Sequence, residues 1–169
     1  MTLVSAAADR SDGFMFERQF RSVDLLSRTS IGDQSTLTVS YLNRSFGANG
    51  FYGNAPSHEW TNQFRLAAER KLSALSGWQP AVTASYRTHG DHFLFNVLTP
   101  GVAENFHRTH ATLGTLKVSH AYGQGTVLTF GAEGGSDWIR STNLGNHDTQ
   151  RVSGFAEWRR AFGARTQLD

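Results

Sequence analysis

The chain reads as all-β: an antiparallel up-and-down meander of hairpins, about eight strands long, forming a segment of a transmembrane β-barrel. Three observations predict this. Apolar and polar residues alternate with a period of two in one segment after another, turn signals recur at a regular beat, and short breaks alternate with long ones.

Turn signals stand at Ser11-Asp12-Gly13, Gly32-Asp33, Gly47 to Pro56, Ser76-Gly77, Thr99-Pro100-Gly101, Gly123-Gln124-Gly125, Asn143 to Asn146 and Gly163. The segments between them run to roughly 10 to 18 residues, and a tilted strand needs about 9 to 11 to cross a bilayer. In Phe16 to Ser30 the polar face is poorly defined, because Phe20 and Leu26 oppose Val23 and Leu25. Thr36 to Tyr41 alternates cleanly, with Leu37, Val39 and Tyr41 opposite Thr36, Thr38 and Ser40. The stretch SHEWTNQFRLAAERKL, 57 to 72, fits two periods, since Trp60, Phe64, Ala67, Ala68 and Leu72 also fall at helical spacing. A lone helix there would break a run of hairpins, so it is assigned as a strand. Trp60 then anchors the outer interface and Phe64, Leu66 and Ala68 face lipid, while Arg65, Glu69 and Lys71 face the lumen and Arg70 snorkels near the rim.

Ala81 to His89 sets Val82, Ala84 and Tyr86 against Thr83, Ser85, Arg87 and His89. Between His110 and Tyr122 the apolar side switches near Gly114, which predicts a bulge. Leu128, Phe130, Ala132 and Trp138 oppose Thr129, Glu133 and Asp137. Val152, Gly154, Ala156, Trp158 and Phe162 oppose Arg151, Ser153, Glu157 and Arg159, with Phe155 and Arg160 as exceptions. The breaks at 32–33, 76–77, 123–125 and 163–164 are tight. Those around 46–58, 91–105 and 140–150 are long, the asymmetry of outer-membrane barrels.

A soluble β-sandwich or β-barrel shares such alternation. Three features favour a membrane wall: charges on the polar faces, tryptophans 60, 78, 138 and 158 near segment ends, and segments longer than the usual globular strand of about five or six residues. Composition agrees, with only 38% hydrophobic residues but 12% aromatics. A net charge of +2 with scattered arginines argues against nucleic acid, and zero cysteines exclude thiolate metal sites and disulfides. No apolar run has the length of a transmembrane helix, and the first residues carry no signal-peptide pattern.

The stretch FGANGFYGNAPSHEW, Phe46 to Trp60, resembles the TonB-dependent outer-membrane receptors, in which an FGAxGFYG-like strand end is followed by Pro-Ser and the next strand. ASYRTHGDHFLF (84–95), ENFHRTHA (104–111) and GAEGGSDWIRSTNLGNHD (131–148) look like later strand ends and loops of the same barrel, so the likeness covers most of residues 10 to 165. The resemblance implies a 22-stranded plugged barrel that imports scarce nutrients, such as siderophore-bound iron or cobalamin, across the bacterial outer membrane. It implies as partners the TonB complex, acting through a plug domain, and the surrounding lipid and lipopolysaccharide. With room for about eight or nine crossings and no plug or TonB box, residues 1–169 are expected to be a partial barrel domain. A complete eight-stranded barrel with a structural or adhesive role, and a soluble β-barrel binding module, are the alternatives.

Phe51, Tyr52, Arg87, His89, His107 and Arg140 are the expected ligand-facing residues, since aromatics and arginines suit bulky anionic chelates. His89, His92, His107 and His110 invite a metal hypothesis, but alternation splits each pair between two faces, and no metal or other cofactor is expected. Rim histidines bonded to carboxylates such as Asp91 and Glu104 are the better reading. Gly47, Gly50 and Gly53 turn a loop, without the strand and helix of a phosphate site, and Asn43-Arg44-Ser45 is incidental. Glu133 and Asp137 lie about 13 Å apart along one strand face, too far for two carboxylates acting on one bond. No catalytic constellation emerges, so transport without bond chemistry is expected.

Overall fold

A computed structural model describes residues 1–123, 125–162 and 166–168. Antiparallel strands follow one another in a single meander sheet: β1 Thr2–Ser11, β2 Phe20–Ile31, β3 Ser35–Gly47, β4 His58–Lys71, β5 Trp78–Leu94, β6 Glu104–Tyr122, β7 Thr126–Ser141, β8 Gly145–Phe162 and the short β9 Thr166–Leu168. The all-β meander is as expected, and the ambiguous 57–72 stretch is a strand. Gln124 and the turn expected at Gly163-Ala164 lie outside the described residues.

Register sorts the side chains into two faces. On one, Val39 faces Leu66 and Tyr41 faces Phe64. The same face carries Tyr86 opposite Leu66, Leu116 opposite Val82, and Phe130 opposite Val118. Its strand-borne Asp, Glu, Lys and Arg residues, Arg10, Arg21, Arg70, Glu104, Arg108, Arg140, Asp148 and Arg160, all fall close to strand ends. The other face holds Arg65, Arg87, Glu133 and Arg151 well inside their strands, with Glu69 and Asp137 nearer the ends.

The uncharged apolar band crosses the ladder obliquely. Its centre lies at Val39 in β3 and near Gly154–Ala156 in β8, a drift of about one residue per strand. With a rise of about 3.4 Å per residue and strands about 4.8 Å apart, strands running about 35° from the band's normal produce this drift.

The sheet has almost no core. Ala48, Ala55, Ala81 and Leu94 are the buried hydrophobics among the described residues, while Val152, Leu116, Trp158 and Phe130 stay exposed. The accessible surface is 11347 Å². A compact monomer of this mass presents about 8,200 Å², so about 3,000 Å² that a globular fold would cover remains open. Strand β1 makes no contact with β8 or β9, so among the described residues the sheet is not closed.

Burial concentrates where three loops are knitted together at one end. Gly47 N donates to Gln19 O at 2.8 Å, Asn49 N to Glu17 O at 3.0 Å, and Ala48 N to Ser57 O at 2.8 Å. The fully buried Ser57 donates through Oγ to Phe95 O at 2.7 Å. Gly47 lies against the Glu17 backbone, and a Cβ there would overlap it. Gly47→Ala is expected to loosen this knot at a cost of about 1–3 kcal/mol. Faster hydrogen exchange at the Asn49 amide checks it; unchanged protection there contradicts it.

The structure corrects several boundaries. The 140–150 stretch is not a long loop: β7 and β8 continue to a turn at 142–144, so Arg140 and residues 145–150 are strand. The 91–105 loop shrinks to 95–103, because Asp91 to Leu94 still pair with β6. No bulge forms at Gly114, where both ladders of β6 run unbroken. Ala111 and Leu113 simply stand on the polar face, Leu113 reaching over Gly135, which has no side chain to displace. Phe155 is likewise a true exception, its ring lying over Gly131 on the polar face.

Candidate functional site

The polar face carries an open groove of about 720 Å³, lined there by Arg65, Arg87, Leu113, Asp137, His147 and Arg151. Arg65 and Arg87 sit directly opposite each other on β4 and β5. Like charges in that position repel. Both are exposed, and among the described residues neither has a side-chain hydrogen bond or ion pair. Across the groove Arg151 is paired with Asp137, and Ser153 Oγ donates to Glu133 Oε1 at 3.0 Å. The unspent positive charge therefore belongs to Arg65 and Arg87, which present guanidinium forks to an anion.

Four of the expected ligand-facing residues share this polar side. Arg87 is in the groove, His89 faces Gln63 and Thr109, and His107 faces Asp91 with Nδ1 2.8 Å from Ser141 Oγ. Tyr52 bends the 48–57 loop over the same face, donating through its hydroxyl to Glu59 Oε2 at 3.1 Å. Its ring meets Phe93 edge-on at 5.0 Å. Phe51 packs edge-on against Tyr52 at 4.8 Å and is largely exposed. Arg140 does not join them, because strand alternation puts it on the apolar face, opposite Arg108 and Asn146. Arg65, Asp137, His147 and Arg151 are the groove residues that sequence reasoning left out of the ligand set.

At the loop end of β4, partial burial raises the Glu59 carboxyl above its ordinary pKa, and the Asp91 carboxylate adds to this, against the lowering effect of the Tyr52 hydrogen bond. Burial, then the bond to Glu59, pushes the Tyr52 phenol up as well. The Tyr52–Glu59 hydrogen bond ties the loop onto the sheet.

The histidines sort as alternation requires. His89 and His107 lie on the polar face, His92 and His110 on the apolar one. On the apolar face, Trp60, His92 and Phe106 form a continuous ring stack, with centroids 4.6 and 4.2 Å apart, and His92 Nε2 meets Glu104 Oε1 at 2.7 Å. His110 stacks on Trp138 at 4.9 Å and meets the Tyr86 hydroxyl at 2.7 Å. At the opposite margin Trp78 packs against His120 at 5.1 Å and Phe130 at 6.1 Å, and His120 against Tyr122 at 4.3 Å. Aromatic rows thus flank the apolar band at both ends. Among the described residues no three His, Asp or Glu side chains are grouped to hold a metal ion.

A scan against protein-family models matches none, and a search of the curated proteins finds no match.

Proposed function

We propose that this sheet is a stretch of the wall of a bacterial outer-membrane transport barrel, its apolar face toward lipid and its polar face along the solute path. The observation that carries this reading is the oblique uncharged band with aromatic rows at both margins. Membrane barrels show both features, and the drift of about 35° falls in their tilt range of about 35–45°. The open surface of about 3,000 Å² weighs against a soluble binding module. The unpaired edges weigh against a self-closed eight-stranded barrel. With the likeness of Phe46 to Trp60 to the TonB-dependent receptors, the best-supported activity is TonB-energised import of a scarce nutrient, without bond chemistry. A purified protein that remains a monomer in water without detergent would overturn the membrane reading.

The opposed Arg65 and Arg87 favour an anionic nutrient, such as a carboxylate-rich iron chelate, over the neutral cobalamin. Two charge-assisted hydrogen bonds contribute about 1.5–3 kcal/mol each. Replacing both arginines, Arg65→Gln with Arg87→Gln, is expected to weaken binding of a ferric tricarboxylate chelate at least about tenfold and to leave cyanocobalamin binding unchanged. Titration of detergent-solubilised protein with each solute decides the point. An equal loss for both solutes removes the arginines from anion recognition.

A further inference from the structure

On the apolar face, β6 and β7 place a second arginine pair directly opposite each other, Arg108 and Arg140. Both are exposed, and they line a separate recess of about 650 Å³ with Trp60, Asn62, His92 and Phe106. Among the described residues no carboxylate is within ion-pair distance of either guanidinium, and the side-chain bond found is Arg140 Nη1 to Ile139 O at 3.2 Å. The other opposed arginine pair on this face, Arg10 and Arg21, is relieved because Arg10 bonds Asp12 at 2.9 Å. Arg108 and Arg140 have no such relief. Asp148 sits one row further in on β8, opposite Trp138, without reaching them.

The surroundings select the counter-ion. Gly90, between Asn62 and Arg108 in the same cross-strand row, lets those two side chains close over its backbone, since a Cβ there would come within 3.1 Å of the Asn62 amide and 3.2 Å of Arg108 Nη2. Asn62, Arg108, Arg140 and Asn146 thus form one row of hydrogen-bond donors. Aromatic rings bound it on both sides, Trp60, His92 and Phe106 toward the loops and His110 with Trp138 toward the apolar band. A doubly charged, tetrahedral oxyanion satisfies two opposed guanidiniums. An anion tethered to acyl chains also covers the band beneath.

We propose that Arg108 and Arg140, flanked by Asn62 and Asn146, bind the phosphomonoester headgroup of a membrane lipid whose chains run down the apolar band. This rests on the reading of that face as lipid-facing.

The test uses the full protein reconstituted in phosphatidylcholine vesicles with a minor share of phosphatidic acid, then extracted gently for mass spectrometry of the lipids it retains. Tryptophan quenching by brominated lipid monitors insertion in the same samples. Phosphatidic acid is expected to be enriched about tenfold over its share. Arg108→Gln with Arg140→Gln abolishes the enrichment, while Arg108→Lys with Arg140→Lys keeps most of it. Quenching without enrichment, or enrichment that survives the glutamine pair, overturns the site and leaves the barrel wall standing. Absence of quenching in the unaltered protein overturns the wall itself, and the site with it. If inorganic phosphate strips the lipid at equal concentration, the site is one for small anions and the lipid claim fails.

Discussion

On the proposed lipid-facing reading of the apolar face, Leu66→Arg is expected to lower the stability of the protein in vesicles by about 2–4 kcal/mol, and Ala67→Arg by less than about 1 kcal/mol. The two positions are adjacent on β4 and differ in face. Leu66 stands between Val39 and Tyr86, midway along the uncharged run from Trp60 to Arg70. Ala67 stands between Thr38 and Ser85, beside Arg65 and Glu69 on the polar face. An arginine near the middle of a lipid-facing band must be dragged toward the headgroups or left in hydrocarbon, whereas one on the polar face stays solvated. In a water-soluble sheet the order would not arise, because Leu66 is already 38% exposed and an exposed arginine costs little. Urea unfolding from vesicles measures both. Equal stability losses in the two variants would falsify the assignment of the faces.

Much of this sidedness was legible in the sequence because period-two alternation needs no partner strand. Thr36 to Tyr41, Ala81 to His89 and Leu128 to Trp138 each declare two faces, and their agreement decides 57–72 against its helical spacing. Where alanine or glycine stands on both faces the signal fades. Strand β1, TLVSAAADRS, carries no such signal, since its alternate positions differ little in polarity. The expected bulge at Gly114 arose from Leu113 on the polar side, a position made tolerable by Gly135 on the next strand, which no single-segment reading can see. The 140–150 stretch reads as a loop because Asn, Gly, His and Asp are common in loops. In a strand that runs on past the apolar band they are ordinary polar residues.

The groove depended on cross-strand register, which alternation does not supply. One clue was present: Arg65 and Arg87 lie equally far from Ser76, so a hairpin folded about that residue sets them opposite each other, as the ladder does. Arg140 cannot be placed from a loop reading of 140–150, because a loop residue has no predictable face.

Glu17→Ala is expected to cost about 3 kcal/mol and to release the 48–57 loop, because it strips the partner from a nearly buried histidine. Glu17 Oε2 lies 2.6 Å from His58 Nδ1, and the two side chains retain 12% and 10% of their exposure. The carboxylate only accepts, so Nδ1 carries the proton, and Nε2 meets Ser45 Oγ at 2.8 Å. The bond joins the 12–19 loop to the first residue of β4, thirteen residues beyond Ser45 on β3. Breaking a buried pair from one side costs about 3–5 kcal/mol, and residual exposure favours the lower end. Glu17→Gln keeps an acceptor oxygen for the imidazole and is expected to cost only about 1 kcal/mol. Hydrogen exchange at Ala48 and Asn49 reports the knot directly, since Asn49 N donates to Glu17 O and Ala48 N to Ser57 O. Fast exchange in the alanine variant with near-normal protection in the glutamine variant identifies the His58 contact as the clasp. Equal protection in all three proteins would show that the backbone bonds around Gly47 hold the loops without it, and the 48–57 loop, with Tyr52 at its tip, would then keep its place over the polar face unaided.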